Sequence, residues 1–188
     1  KGITLGDNQY PRAIFTLWTE AERNAINIYS VTIDDSKRKD EKWYINTDIT
    51  YAFSGGKVTG SYGDATAKKH ADTKWTQQQI DDGKAPEGAD TDTVAVEGLK
   101  TVLIRQVKIE SESELNKTDW YVVRKAEEST AIPSAITTHR RAVRSKAAAM
   151  ETSITNASDT PALETLYTYT EQEDGTTARP LGEIPTLD

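Results

Sequence analysis

A chain of 188 residues, 36% hydrophobic and 28% charged, can form one medium domain or two small ones, and its polarity favours small cores over one large one. Its 30 acidic and 23 basic side chains leave a formal charge of −7, which repels phosphate backbones and argues against general nucleic-acid binding. The lack of cysteine excludes disulfides, thiolate metal sites and cysteine nucleophiles, and no apolar run approaches the ~20 residues that a membrane span needs.

Gly2 to Tyr10 is rich in Gly and Asp and meets Pro11, which predicts an extended lead-in. Thr19-Glu20-Ala21-Glu22 has the spacing of a capping box and predicts a short helix from Glu20 to about Ile26. Ile28 to Ile33 alternates apolar and polar residues as a strand does, and Ser36 to Lys42 is a solvated turn. Thr50–Phe53 and Lys57–Tyr62 flank Ser54-Gly55-Gly56, where the Gly pair supplies the positive φ of a tight hairpin; Tyr51, Phe53, Val58, Gly60 and Tyr62 are candidates for its faces. Ala65 to Ile80 lacks Gly and Pro and is compatible with a helix. Asp81 to Asp92 is acidic, contains Gly83, Pro86 and Gly88, and reads as a linker.

The C-terminal part changes character. Leu99, Leu103, Val107 and Leu115 predict a helix over Gly98–Asn116, broken at Asn116–Asp119. Ser134 after Pro133 opens a second helix, along which Ile136, Val143, Ala147, Met150 and Ile154 recur on one face; the two helices can pair as a hairpin. Thr160-Pro161 starts a third helix carrying Leu163, Leu166 and Tyr167, Asp174-Gly175 is a turn, and Arg179–Pro185 is an extended tail. The expected fold class is α+β: a β-rich part with a hairpin over residues 1–80, an acidic linker over 81–97 and a helical domain over 98–188.

Little in the chain reads as chemistry. His70 and His139 lack a partner at metal-ligand spacing and read as exposed polar side chains. Asp81, Asp82, Asp90 and Asp92 lack the spacing of a Ca²⁺ loop, and Gly60-Ser61-Tyr62-Gly63 is not a nucleophile elbow. The expectation is no enzyme, no cofactor and no metal. Arg124, Lys125, His139, Arg140, Arg141, Arg144 and Lys146 concentrate positive charge in an acidic chain; they read as a helix face offsetting nearby Glu residues or as a docking face for an acidic partner, with Arg140, Arg141 and Arg144 as its candidate contacts, and an internal salt bridge would satisfy Arg140 and Arg144 equally well. Trp120, beside Tyr121, Val122 and Val123, is expected as a buried plug where the C-terminal helices meet, with an aromatic interface anchor as the alternative. Trp18, Trp43 and Trp75 are candidate glycan contacts.

The stretches Leu115-Asn116-Lys117-Thr118-Asp119-Trp120, Ile132-Pro133, Thr138-His139-Arg140-Arg141-Ala142-Val143-Arg144 and Arg179-Pro180-Leu181-Gly182-Glu183-Ile184-Pro185 resemble the C-terminal region of phage tail-fibre assembly proteins and related small tail proteins. Those carry a Leu-x-x-Thr-Asp-Trp helix end, a Tyr-Arg-x-x-x-Arg helix and a Trp-Pro close; here His139 replaces the Tyr and Ile184 the Trp, while Arg140 and Arg144 match. Gln9-Tyr10-Pro11-Arg12, Leu17-Trp18 and Gly56–Gly63 also resemble small virion proteins of marine tailed phages. The resemblance implies a structural component of a tailed-phage virion, tail or fibre associated, made in the host cytoplasm and acting through protein–protein interfaces with other tail or fibre proteins in a multi-copy assembly. An assembly chaperone absent from the mature particle is the alternative it leaves open, and a glycan- or receptor-binding module stands beside both. In such an assembly one or both of the lead-in and the tail are expected to lie on a neighbouring subunit.

Overall fold

The computed structural model describes residues 2–187. The fold is α+β, with small sheets toward the N-terminus and helices toward the C-terminus. The chain separates into two compact units, one up to Thr66 and one from Ala67 onward. The acidic stretch expected as a linker therefore lies inside the second unit.

In the first unit the expected lead-in is a hairpin. Strands β1 (Ile3–Leu5) and β2 (Asn8–Tyr10) pair antiparallel around Gly6, whose φ of +56° suits the turn. Helix α1 (Ile14–Leu17) follows, then α2 (Glu20–Asn24), whose capping box forms as the spacing predicts: the Thr19 hydroxyl accepts from the Glu22 amide and the Glu22 carboxylate accepts from the Thr19 amide at 2.7 Å. Strand β3 (Val31–Asp34) starts three residues later than expected, and β4 is Tyr44–Ile45. The Gly-Gly hairpin is present as β5 (Thr50–Ser54) and β6 (Lys57–Ser61), with Gly55 and Gly56 at φ +56° and +75°.

β3 pairs parallel with β6, so the sheet order is β3-β6-β5. Its register sets Tyr51, Gly60 and Ile33 in one row and Phe53, Val58 and Val31 in the next. All six share one face, because directly paired residues point to the same side of a pleated sheet. Of the side chains in this unit, Ile14 and Trp43 form the buried apolar core, exposed by 1% and 3%. Short β7 (Thr66–Ala67) pairs with β4.

The stretch Ala65–Ile80, expected as helix-compatible, is mostly not helical. It holds β7, then β8 (Thr73–Lys74), and becomes helical only at α3 (Gln77–Asp81), which Thr76 caps with Gln79 in a second capping box. Its apolar face was too thin to hold a longer helix against a core. β8 pairs antiparallel with β9 (Val94–Val96), so the acidic Asp81–Asp92 stretch is an excursion between two paired strands.

The helices meet the expectation closely. α4 (Leu99–Asn116) packs on α6 (Ser134–Asn156), burying Leu103 and Val107 against a face made of Ile136, Val143, Ala147, Met150 and Ile154. α7 (Thr160–Tyr167) is capped by Asp159, one residue before the expected start, and buries Leu163 completely. Two features departed from expectation. The connection between α4 and α6 contains a helix of its own, α5 (Asp119–Glu128). The C-terminal tail, expected to need a neighbouring subunit, lies on its own unit: β10 (Thr170–Glu171) and β11 (Thr177–Ala178) form a hairpin, Leu181 is buried and its amide donates to the Leu166 carbonyl, and Lys146 donates to the Leu181 carbonyl at 2.7 Å. No described helix is long and apolar enough to cross a membrane.

Candidate protein interface

Leu115, Thr118, Asp119 and Arg140, from two of the C-terminal motifs, converge on one corner of the second unit. Arg140, on α6, read either as a contact for an acidic partner or as a member of an internal salt bridge, takes the second role: it points inward and is only 8% exposed. Its guanidinium donates to the Leu115 carbonyl at 2.7 Å, to the Thr118 hydroxyl at 2.6 Å and to the Asp119 carboxylate at 2.8 Å. Thr118 is wholly buried and its hydroxyl also donates to the Leu115 carbonyl at 3.0 Å. The last carbonyls of a helix lack intrahelical partners, and a planar fork with five donors can satisfy several acceptors at once. Arg140 thus bolts the end of α4 and the start of α5 to α6.

One residue away, His139 is also inward. Its side chain is 8% exposed, not solvated as expected, and Nε2 lies 3.2 Å from Glu114 Oε1. Glu114, itself 5% exposed, pairs with Lys117 and accepts the Leu187 amide at 2.8 Å, tying the tail to α4. The Lys117 ammonium, then the Leu187 amide, and more weakly His139, hold the Glu114 carboxyl below the usual carboxylate range.

The exposed side of α5 beside this bolt is aromatic and cationic. Trp120 is 51% exposed rather than a core plug. The plug at that corner is Thr118 with Arg140, so α5 turns the indole outward. The ring lies 3.9 Å from that of Tyr121, and Arg124 stacks over it at 4.6 Å. Val123, one turn on from Trp120, is 51% exposed. Arg141 and Arg144 are exposed on α6, and no carboxylate pairs with Arg124, Lys125, Arg141 or Arg144 among the described residues. The docking-face reading thus keeps Arg141, Arg144 and Trp120 and loses Arg140.

The three candidate glycan tryptophans differ in access. Trp43 is 3% exposed and belongs to the core of the first unit, which closes its faces to a sugar. Trp18 is half-buried, edge-on to Tyr10 at 6.0 Å. Trp75 is half-buried and held by a backbone bond to the Thr93 carbonyl.

His70 and Asp72 have a structural role. The Asp72 carboxylate accepts the Gly98 amide at 2.6 Å and the Thr101 hydroxyl at 2.7 Å, and the Lys69 and His70 carbonyls accept the Leu99 and Lys100 amides. A loop more than 25 residues upstream therefore caps α4. The Gly98 amide bond is the main cause that holds the Asp72 carboxyl low, with Thr101 second. Gly98 carries no side chain because a Cβ there would overlap the Ala71 carbonyl and the Asp72 nitrogen. No group of three or more His, Asp or Glu among the described residues is placed to hold a metal ion.

In the first unit, sequence reasoning identified the hairpin but not its exposure. Tyr51 and Phe53 are 62% and 58% exposed, and Val31 and Ile33 are 49% and 41% exposed on the same face. The signal was the register itself: Tyr51 and Phe53 share parity with Val58 and Gly60 across the Gly-Gly turn. Compared with known protein families, curated proteins and solved structures, the chain matches none.

Proposed function

We propose that the chain is a non-enzymatic interface protein that serves as a structural component of a tailed-phage virion, associated with the tail or its fibres. The observation that carries the interface reading is the placement of its aromatic residues. In a chain that is 28% charged, Tyr51, Phe53 and Trp120 stand more than half exposed, each beside exposed aliphatic side chains. Contiguous apolar surface of this kind marks protein contact sites, and Trp, Tyr and Arg are the residue types that dominate their energetics.

The phage assignment rests on the resemblance of the Thr118-Asp119-Trp120 and Arg140-x-x-x-Arg144 motifs to tail-fibre assembly and small tail proteins. Support for treating the two motifs as one unit comes from the bonds between Arg140 and Thr118 and Asp119. Arg144 and Trp120, which make no such bond, are the motif members left to meet a partner. The tail no longer argues for a multi-copy assembly, since its support is its own helices. The second reading is a tail-fibre assembly chaperone, which the same surface would serve. Mass spectrometry of density-purified particles separates them: a structural component appears at a fixed copy number per particle, a chaperone at trace level.

A further inference from the structure

β5 is an edge strand without the usual protection. All five residues of Thr50-Tyr51-Ala52-Phe53-Ser54 are exposed, and none is charged or proline. Natural sheets guard such edges with Lys, Pro, bulges or a covering segment, because a free row of amides and carbonyls templates another strand. The opposite edge, β3, follows that practice: it ends in Asp34, followed by Asp35.

The hairpin turn fixes which backbone groups are free. A two-residue turn makes its flanking residues, Ser54 and Lys57, a hydrogen-bonded pair. Bonding alternates from there, so Ser54, Ala52 and Thr50 turn their backbones toward β6, and Tyr51 and Phe53 turn theirs outward. Neither Tyr51 nor Phe53 makes a backbone bond to any other described segment.

We propose that β5 pairs antiparallel with β5 of a second copy of this chain, about a two-fold axis at Ala52. An antiparallel edge is self-complementary under two-fold symmetry. With the axis at Ala52, the outward-facing Tyr51 meets Phe53 of the other copy and exchanges both bonds with it, twice per dimer. The rings fall on the apolar face and form cross-strand aromatic pairs, which favours this register over a slip. The three-stranded sheet becomes six-stranded, with Val31, Ile33, Val58, Tyr51 and Phe53 of both copies on one continuous face. Tyr51 and Phe53 each have on the order of 100 Å² left to bury, so the contact falls short of the ~1,200–2,000 Å² of a standard stable interface. The pairing is therefore weak and reversible in dilute solution, and strengthens where copies are held side by side. It deepens the interface reading by naming a second copy as the partner of this edge, and it stands or falls separately from whether the chain is retained in a particle.

The natural absence of cysteine makes the register directly testable. Ala52 would face Ala52 of the other copy in a non-hydrogen-bonded pair, with Cα atoms about 4.5 Å apart, within the span a disulfide bridges. Thr50 would face Ser54 of the other copy and lie roughly 14 Å from Thr50, at about 3.4 Å per residue. Under mild oxidation the full chain carrying Ala52→Cys is expected to form a disulfide dimer at least ten times faster than Thr50→Cys, more so as concentration rises, and adding Phe53→Lys should return it to the Thr50→Cys rate. Mixing Thr50→Cys with Ser54→Cys should give the heterodimer in preference to either homodimer. Equal cross-linking of Ala52→Cys and Thr50→Cys, or no dimer at any concentration from variants that keep the native unfolding transition, would overturn the proposal. Occupation of the edge by another segment of the same chain, or by a different protein only, would give that negative result.

Discussion

The two units bury their apolar residues in opposite ways. From Ala67 onward, Leu103, Val107, Ile136, Val143, Met150, Ile154 and Leu163 are buried on helices whose polar faces look outward, and Leu181 of the tail is buried with them. Up to Thr66 the buried apolar side chains are Ile14 and Trp43, while the sheet holds its aromatic and aliphatic residues half in water. A period of 3.6 lets a helix choose one face, and α4 and α6 supply that face to each other. A three-stranded sheet has one apolar face and needs a second layer to cover it. The helical unit contains its own second layer; on the sheet face the Tyr29 ring packs against Phe53 at 4.6 Å, and Tyr51, Phe53, Val31 and Ile33 stay exposed among the described residues.

The largest expected effect sharpens that contrast. Ile154→Ala removes a fully buried side chain from α6 and should cost about 2–5 kcal/mol in urea unfolding. Phe53→Ala, on the exposed sheet face, should cost no more than about 1 kcal/mol in the isolated chain. Comparable losses would mean that the sheet is covered in solution.

Arg140→Met tests whether the bolt holds the helical unit together. The substitution leaves the Leu115 carbonyl and the Thr118 hydroxyl facing an apolar side chain, and a loss of about 2–3 kcal/mol is expected. Its partner Asp119 is half-exposed and can turn to water, which limits the penalty. An unchanged midpoint would remove Arg140 from the architecture and return it to the surface. Trp120→Ala should be milder, about 1 kcal/mol or less, because the indole is half in water. A loss of 3 kcal/mol or more would restore the buried plug expected from the sequence.

The smallest effect is on the tail. The Glu114 carboxyl is held below its ordinary value of 4.5 by Lys117 and the Leu187 amide, so its stabilising contribution is present above that value and lost as pH falls below it. Hydrogen exchange at the tail residues around Leu187 should therefore rise below pH 4.5 before the helices open, and Glu114→Gln should flatten this response.

What could be read from the sequence follows from the length of each signal. The α6 face was legible because five buried positions repeat over some twenty residues, and the hairpin because Gly-Gly admits a positive φ at both turn positions. β7 and β8 are two residues each and carry no period to detect. α5 contains Trp, Tyr and two Val, residues that favour strands, and is helical in its packed setting. The direction of Arg140 depends on Thr118, 22 residues earlier, whose burial no local pattern announces. The same holds for Asp72 and Gly98, a cap closed across 26 positions.

The contrast between a self-covered helical unit and an uncovered sheet is tested most directly by hydrogen exchange of the isolated chain at low and high protein concentration. In dilute solution the amides of α4 and α6 should be strongly protected, and those of Tyr51 and Phe53 should exchange freely. On concentration, Tyr51 and Phe53 should gain protection while the helices stay unchanged. Strong protection of Tyr51 and Phe53 in dilute solution, independent of concentration, would contradict the claim that the sheet edge awaits a partner.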